Sequence, residues 1–237
     1  MATLSENPRW IEQAIARLER HLTDRRRERM TRVLATRSNH VIFVFERMVD
    51  PHNLSAVLRT MDAFSFQEAH WVLPEEKLGL SRGVSIGADR WLSLSTHDTT
   101  EACFTHLRER GYSILASHVA EESGGALDRL DFSQPLALVF GNEHAGVSEE
   151  TLALADGVFH IPMLGFVESF NLSVAAAITA SRARSEMNRL MPADPAPERF
   201  LLDEAQNRAV YLQWLRYSVR RAETILEELK ADFPEGT

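Results

Sequence analysis

The chain has a single cysteine, Cys103, among its 237 residues. That excludes an internal disulfide framework and fits a reducing cytosol. Cys103 falls on a helix-like segment with no obvious cationic neighbour to lower its pKa, so it reads as structural. Long hydrophobic runs are missing as well. None approaches the roughly 18–20 apolar residues that span a bilayer. The N-terminal region, charged throughout from Arg17 to Arg37, lacks the basic-then-apolar pattern of a signal peptide. Positive charge is in deficit: the formal net charge of −8 argues against non-specific nucleic-acid binding by the chain as a whole. Neither G-x-G-x-x-G after a strand nor G-x-x-x-x-G-K-[ST] occurs, so neither a dinucleotide fingerprint nor a P-loop is supported. The nine histidines include no H-E-x-x-H and no Cys/His metal spacing, and they read as surface or satisfied core residues with no metal site. The G-x-S-x-G elbow of a serine hydrolase is absent too.

What is present is unevenly distributed. Residues 1–40 hold nine arginines against five acids, a basic segment on an acidic protein. Asn7-Pro8 opens a helix, with Asn as cap and Pro at the first helical position, and Trp10, Ile11, Ala14, Ile15, Leu18 and Leu22 fall on one face of it. Thr23-Asp24 can cap a second helix bearing Arg25, Arg26, Arg27, Arg29 and Arg32. Those five form either a solvated face or a surface for RNA phosphates.

From His40 onward, apolar runs alternate with helical patterns. Val41–Phe45, Ala69–Leu73, Trp91–Leu94, Tyr112–Ala116, Leu136–Phe140 and Val158–Ile161 are expected as strands. Helices are expected at about Leu54–Phe64, Thr100–Arg110, after Ser148, and from about Ser169 to Leu190, with Gly79–Asp89 as loop and Glu121–Gln134 as a polar connection. This alternation is the pattern of an α/β fold with a mostly parallel sheet. A proline-rich linker, Met191–Glu198, precedes one amphipathic helix or two over Asp203–Lys230, with Val210, Leu212, Trp214, Leu215 and Tyr217 as the apolar side. The expected organisation is a basic helical extension (1–38), the α/β domain (39–190), and the linker with a C-terminal helical extension (191–237).

Three segments carry candidate chemistry. In the first, Asp50–Arg59, Asn53 is either the N-cap of the next helix or a site residue. Arg59 shares a helical face with Ser55 and Asp62, which allows an ion pair to Asp62 or a role at the carboxyl ends of the strands. In the second, Leu138–Gly146, a strand runs into a loop bounded by two glycines, where Glu143 is either a backbone anchor or an acid beside a ligand. The third and most informative is 157–178, a strand, a turn at Pro162 and a helix start crowded with Ser169, Asn171 and Ser173. Ser169 can cap that helix. Asn171 is a poor residue inside one, and amides at a helix start can hold a polar ligand.

Together these segments resemble the SpoU branch of the SPOUT class of RNA methyltransferases. The family pattern has an Asn followed six residues later by Arg, here Asn53 and Arg59. It has F-G-N-E-x-x-G, here Phe140–Gly146, and I-P-M-x-G-x-x-x-S-x-N-x-S, here Ile161–Ser173. The resemblance spans roughly residues 23–185. Pro51–Thr60, the arginine-rich helix and the C-terminal helical extension are similar to the tRNA guanosine-2′-O-methyltransferase type within it. Two departures are mild: Ser65 stands where the family usually has Gly, and Ser-Phe-Asn-Leu-Ser replaces S-L-N-V-S.

The resemblance implies a C-terminal deep trefoil knot, a rare exception to unknotted connections, and a homodimer. It implies S-adenosyl-L-methionine as cofactor, held by loops near Ala116, Ser117, Gly141, Ile161, Met163, Leu172 and Ser173. It implies methyl transfer to a ribose 2′-OH of tRNA, guanosine 18 of the D-loop for the tRNA type, in the cytoplasm and without metal or membrane. A ribosomal-RNA enzyme of the same fold and a non-catalytic RNA-binding protein are the alternatives. By the same resemblance Arg59, Asn53, Glu143, Ser169 and Asn171 form the catalytic set. His52 and the five arginines of the second helix contact RNA.

Overall fold

Five consecutive apolar residues in a strand have no solvent face to offer, so Val41–Phe45 must be covered on both sides. In the computed structural model, which describes residues 7–48, 50–73, 90–119, 125–230 and 233, this run is the centre of β1 (Val41–Glu46), buried at every position. β1 lies between β2 (Glu68–Val72) and β6 (Leu136–Phe140) in a seven-stranded sheet of order β3-β2-β1-β6-β4-β7-β5. The remaining strands are β3 (Ser93–His97), β4 (Ser113–Ser117), β5 (Gly125–Ala126) and β7 (Gly157–His160). Every pairing is parallel.

Alternate residues of β1 feed two cores. Val41, Phe43 and Phe45 join Val57, Leu58 and Met61 of α3 (Pro51–Ala63) and Leu172, Ala176, Ala180 and Met187 of α6 (Leu172–Leu190). Ile42 and Val44 join Cys103, Phe104 and Leu107 of α4 (Thr100–Glu109) on the other face, with Leu152 of the short α5 (Glu149–Leu154) packed against them. The expected α/β architecture is thus a parallel sheet with helices on both faces. The chain winds from β1 through β2 to β3 in one direction, then crosses to β4 and fills the gap with β6. The order reverses between β1 and β6, and such a switch point leaves a crevice at the carboxyl ends of the strands.

Several boundaries differ from the sequence reading, each for a local reason. α3 starts at Pro51, not Leu54, because Asp50 caps it by accepting from the His52 amide and Pro51 takes the first helical position. Asn53 is therefore not the N-cap but a buried residue of the first turn. α6 starts at Leu172, with Asn171 rather than Ser169 as its cap. The segment expected as a polar connection contains β5 and a 3₁₀ turn, Leu127–Arg129, pinned by buried Leu127 and Phe132; two residues are too few to show a strand period. Strand β3 begins two residues later than expected. The expected loop Gly79–Asp89 lies outside the described residues.

α3 ends in a Schellman motif: Phe66 N–H donates to the Met61 carbonyl (3.0 Å) and Ser65 N–H to that of Asp62 (3.1 Å). This places Ser65 at φ +61°, the left-handed conformation that favours glycine. Arg184 of α6 steadies the corner, donating to the Phe64 carbonyl (2.7 Å) and the Ser65 carbonyl (3.0 Å).

The chain divides into two compact units, Ser38–Phe200 and the segments before and after it. The flanking unit is helical: α1 (Pro8–Glu19) capped by Asn7, α2 (Asp24–Leu34) capped by Thr23, α7 (Glu204–Ser218) and α8 (Ala222–Lys230). A capping box between Asp203 and Gln206 opens α7. Arg221, at φ +61°, follows the break that makes the C-terminal segment two helices rather than one. Trp10, Leu18, Trp214 and Leu215 are buried in this unit, whereas Tyr217 is exposed. The Arg37 guanidinium, itself buried, lies 5.2 Å from the Trp214 ring centre. The proline-rich run belongs to the sheet unit, where Phe200 is buried with its ring 4.4 Å from that of His40.

His40, just before β1, has its Nε2 2.9 Å from the Phe132 carbonyl. A carbonyl only accepts, so Nε2 carries the proton. Burial lowers the His40 pKa below its ordinary 6.5, the carbonyl bond opposing this only in part. The unfolded chain therefore takes up a proton here before the folded one, and stability falls as pH drops through 6.5. Urea midpoints at about pH 7.5 and about pH 5.5 should fall less on acidification for His40→Gln than for the unmodified chain. Equal losses would remove His40 from the acid response.

Candidate active site

The loops at the carboxyl ends of β1, β6 and β7 meet at the switch point. After β6 the chain doubles back within residues 141–146: Asn142 and Gly146 each donate a backbone N–H to the other's carbonyl at 2.9 Å. The Asn142 side chain organises the turn, Oδ1 accepting from His144 N–H (3.0 Å) and Ala145 N–H (3.2 Å) while Nδ2 donates to the Arg47 carbonyl (3.1 Å). Gly146 sits at φ +68°. A Cβ on Gly141 would stand 2.0 Å from the Gly146 carbonyl carbon and 2.1 Å from Val147 N, all backbone atoms with nowhere to move. Both glycines are thus geometric requirements of this loop.

A chain of side-chain hydrogen bonds ties this loop to two helices. Glu143 Oε1 accepts from Asn53 Nδ2 (2.9 Å), and Asn53 Oδ1 accepts from Asn171 Nδ2 (3.2 Å). Asn171 Oδ1 accepts from the Ser173 N–H (2.9 Å) and hydroxyl (2.6 Å). A carboxylate only accepts, so Glu143 fixes the amide orientation of Asn53, which fixes that of Asn171. The first turn of α3, the loop after β6 and the start of α6 are thereby held in one arrangement. Asn171 is both the cap of α6 and a member of this chain.

Beside it lies a cleft of about 600 Å³, within the range of small-molecule sites. Five of the seven expected cofactor residues line it: Ser117 from the end of β4, Gly141, Ile161 and Met163 from the connection between β7 and α6, and Leu172 at the start of α6. Glu143 and Ser169 line it too. Ala116 does not, being buried in the core of the sheet face that packs on α4. Ser173 is outside the lining, its hydroxyl donated to Asn171.

The remaining expected residues are not gathered here. Arg59 lies six positions beyond Asn53 on α3, about 9 Å along the helix axis. It is exposed. His52 is exposed in the first turn of α3. Arg25, Arg26, Arg27, Arg29 and Arg32 are all exposed on α2, within the helical unit; Arg27 pairs with Asp24 and Arg26 reaches Ser218 Oγ at 3.3 Å. Sequence reasoning assigned no role to Asn142, His118 or Phe170, although Asn142 orders the loop and the other two line the cleft. An Asn two residues before a backbone N–H that it can bond is an Asx-turn signal; nothing in the sequence marks His118.

Residues 40–181 match the SpoU rRNA Methylase family. The chain belongs to that family. It is 39% identical over 197 residues to the tRNA (guanosine(18)-2′-O)-methyltransferase of Thermus thermophilus, covering 83% of this chain and 99% of the relative. Its fold is similar to the crystal structure of the A. aeolicus TrmH/SpoU tRNA modifying enzyme, with a TM-score of 0.71 and 28% identity over 84% of this chain and 98% of that one. It is also similar to an AdoMet-bound rRNA methyltransferase from Sinorhizobium meliloti, with a TM-score of 0.52 and 26% identity over 65% of this chain and 59% of that one. The SpoU match begins at His40 and ends within α6, so it falls inside the unit that carries the cleft.

Gly141→Ala should destabilise this SpoU unit by about 1–3 kcal/mol, the cost of overpacking a site that cannot relax. Gly165→Ala, where a Cβ meets open space, should be near neutral. Thermal or urea unfolding of the two variants checks this, and equal midpoints would contradict the close approach at Gly141.

Proposed function

We propose that the chain is an S-adenosyl-L-methionine-dependent tRNA 2′-O-methyltransferase that modifies guanosine 18. The observation that carries this reading is the Glu143–Asn53–Asn171 chain, whose Glu143 lines the cleft. It joins the three segments on which the SpoU pattern rests, in a chain 39% identical to a tRNA (guanosine(18)-2′-O)-methyltransferase.

The cleft suits the cofactor chemically. Ile161, Leu172 and Phe140 offer apolar surface for a purine, and the loops at 117–119 and 141–146 offer backbone amides and carbonyls for its edge. The cofactor, when bound, supplies a methyl group already activated by a positive sulfur. The protein must align a ribose 2′-oxygen with that methyl and help the hydroxyl lose its proton. Ser117, Gly141, Ile161, Met163 and Leu172 would hold the cofactor, and it would supply the methyl group and take the leaving electron pair on sulfur.

Arg59 offers N–H donors and no acceptor, so it does not serve as the base. Its role is to hold the neighbouring phosphate and stabilise the developing alkoxide, while a phosphate oxygen or water takes the proton. Asn53 and Asn171 position the ribose, Glu143 fixes their amides, and Ser169 faces the substrate from the cleft wall. The connection from β7 to α6 is read as the threaded loop of a trefoil knot.

Arg59 stands away from the cleft of a single chain, and Leu164, Phe166 and Val174 are exposed apolar residues of that loop and of α6. Both features suit a homodimer in which a second copy completes the site and covers these side chains. The exposed arginines of α2, with His52, serve as phosphate contacts for tRNA. A cytoplasmic location goes with this substrate, and no described helix is long and apolar enough to cross a membrane.

Arg59→Ala should lower methyl transfer to tRNA by on the order of 100-fold or more while cofactor binding, measured by calorimetry, is kept. Activity within a few-fold of the parent would remove Arg59 from the reaction. Mapping the methylated nucleotide on total tRNA and on ribosomal subunits decides the substrate: methylation confined to ribosomal RNA would replace this reading with its ribosomal counterpart. If the five α2 arginines contact phosphates, tRNA affinity should fall with salt at a log–log slope of about −4. A salt-insensitive affinity would exclude that surface.

A further inference from the structure

Away from the cleft, at the other edge of the sheet, four side chains from three elements converge without any part in the site described above. His70 of β2 and His97 of β3 lie on the sheet face covered by α4, and His70 Nδ1 is 2.8 Å from His97 Nε2. Cys103 of α4 closes the group: one ring nitrogen of each histidine and the Cys103 sulfur all lie within 4.8 Å of one another. His70 and Cys103 are fully buried.

The orientation of His70 is set from behind. Its Nε2 is 2.7 Å from Glu68 Oε1, and both Glu68 oxygens are held by Arg110 at 2.6 and 2.8 Å. A guanidinium only donates, so both Glu68 oxygens act as acceptors, and His70 Nε2 is the donor to Oε1 while Nδ1 presents a lone pair to His97 and Cys103. A carboxylate behind a histidine, fixing its tautomer with the other nitrogen facing an N/S pocket, is the arrangement found around metal-ligating histidines.

We propose that His70 Nδ1, His97 Nε2 and Cys103 Sγ bind one zinc ion that pins α4 to the β2–β3 edge of the sheet. One thiolate and two imidazoles select a soft or borderline cation over magnesium or calcium. Tetrahedral zinc needs ligand atoms about 3.3–3.6 Å apart, so the two imidazole nitrogens, now 2.8 Å apart, separate by about half an ångström, and the sulfur, within 4.8 Å of both, moves inward by up to about 1.2 Å through rotamer adjustment. Zinc displaces one proton, that of the thiol; the proton between the imidazoles passes to His97 Nδ1, which frees His97 Nε2 to coordinate. Water takes the fourth position, or His106, whose ring lies 5.7 Å from those of both His70 and His97. No sequence spacing announces this group, because its ligands come from two strands and a helix that only the sheet brings together.

The full chain, produced without a histidine tag in zinc-supplemented medium and dialysed, should carry about one zinc per chain by elemental analysis. Cobalt(II) titrated into chelator-stripped protein should give the near-ultraviolet thiolate-to-cobalt charge-transfer band. That band should vanish in Cys103→Ser, and His97→Ala should weaken cobalt binding by about 100-fold or more. The cobalt spectrum of the unmodified chain decides the matter even where a variant fails to fold. Zinc below about 0.1 per chain with no charge-transfer band overturns the proposal. So does cobalt binding that leaves the band unchanged in a folded Cys103→Ser variant, or a different metal at full stoichiometry.

Discussion

β1 and β6 lie side by side over five residue pairs, from Val41 beside Leu136 to Phe45 beside Phe140, although other strands intervene in the sequence. That pairing constrains the rest of the molecule. It closes the sheet at the point where the strand order reverses, buries β1 on both faces, and brings the first turn of α3 beside the loop that leaves β6. Asn53 can bond Glu143 only because these two strands are neighbours. The aromatic contacts across the pair, Phe43 and Phe45 against Phe140, belong to the same core as the inner faces of α3 and α6. The core and the site are therefore held by one arrangement of strands.

The site is built largely from backbone and from amide side chains, and this follows from how little space it has. Where two chain segments approach as closely as Gly141 and Gly146 do, side chains cannot fill the gap and the peptide groups must satisfy one another. Asn142 meets that demand inside the loop; Asn53 and Asn171 meet it between elements. An asparagine offers a donor and an acceptor on one short rigid group, so a relay of two can be oriented end to end by a single carboxylate. Replacing either by Asp would leave two acceptors facing each other.

The helical unit follows a different logic. Its interior is ordinary helix packing around Trp10, Leu18, Trp214 and Leu215, and its first two helices begin on well-formed caps. What sets it apart is charge: the exposed face of α2 is rich in arginine on a chain whose net charge is −8. An acidic protein can present a local basic surface because screening confines each charge to about 8–10 Å in physiological salt.

Much of this was legible in the amino-acid order. Apolar runs marked the strands, cap residues marked the starts of α1, α2 and α5, and the order of three polar phrases marked the family. Periodicity and capping are local, so they survive without a tertiary structure. Two of the helix starts moved where neighbouring residues could fill the same local role. Asp50 and Asn53 could both cap α3, and Ser169 and Asn171 could both cap α6; the choice fell to the member whose rival was needed elsewhere or left in the cleft wall. Side chains that meet across the sheet carried no local signal at all. The sequence by itself determined an α/β core, its helical flanks and the segments from which a site could be made. The tertiary structure decided which amides face Glu143, that Ala116 is core and Arg59 stands apart, and that His70, His97 and Cys103 meet. Hydrogen bonds and ligand sets depend on distances of a few ångströms between residues far apart in the chain, and only the strand order sets those distances.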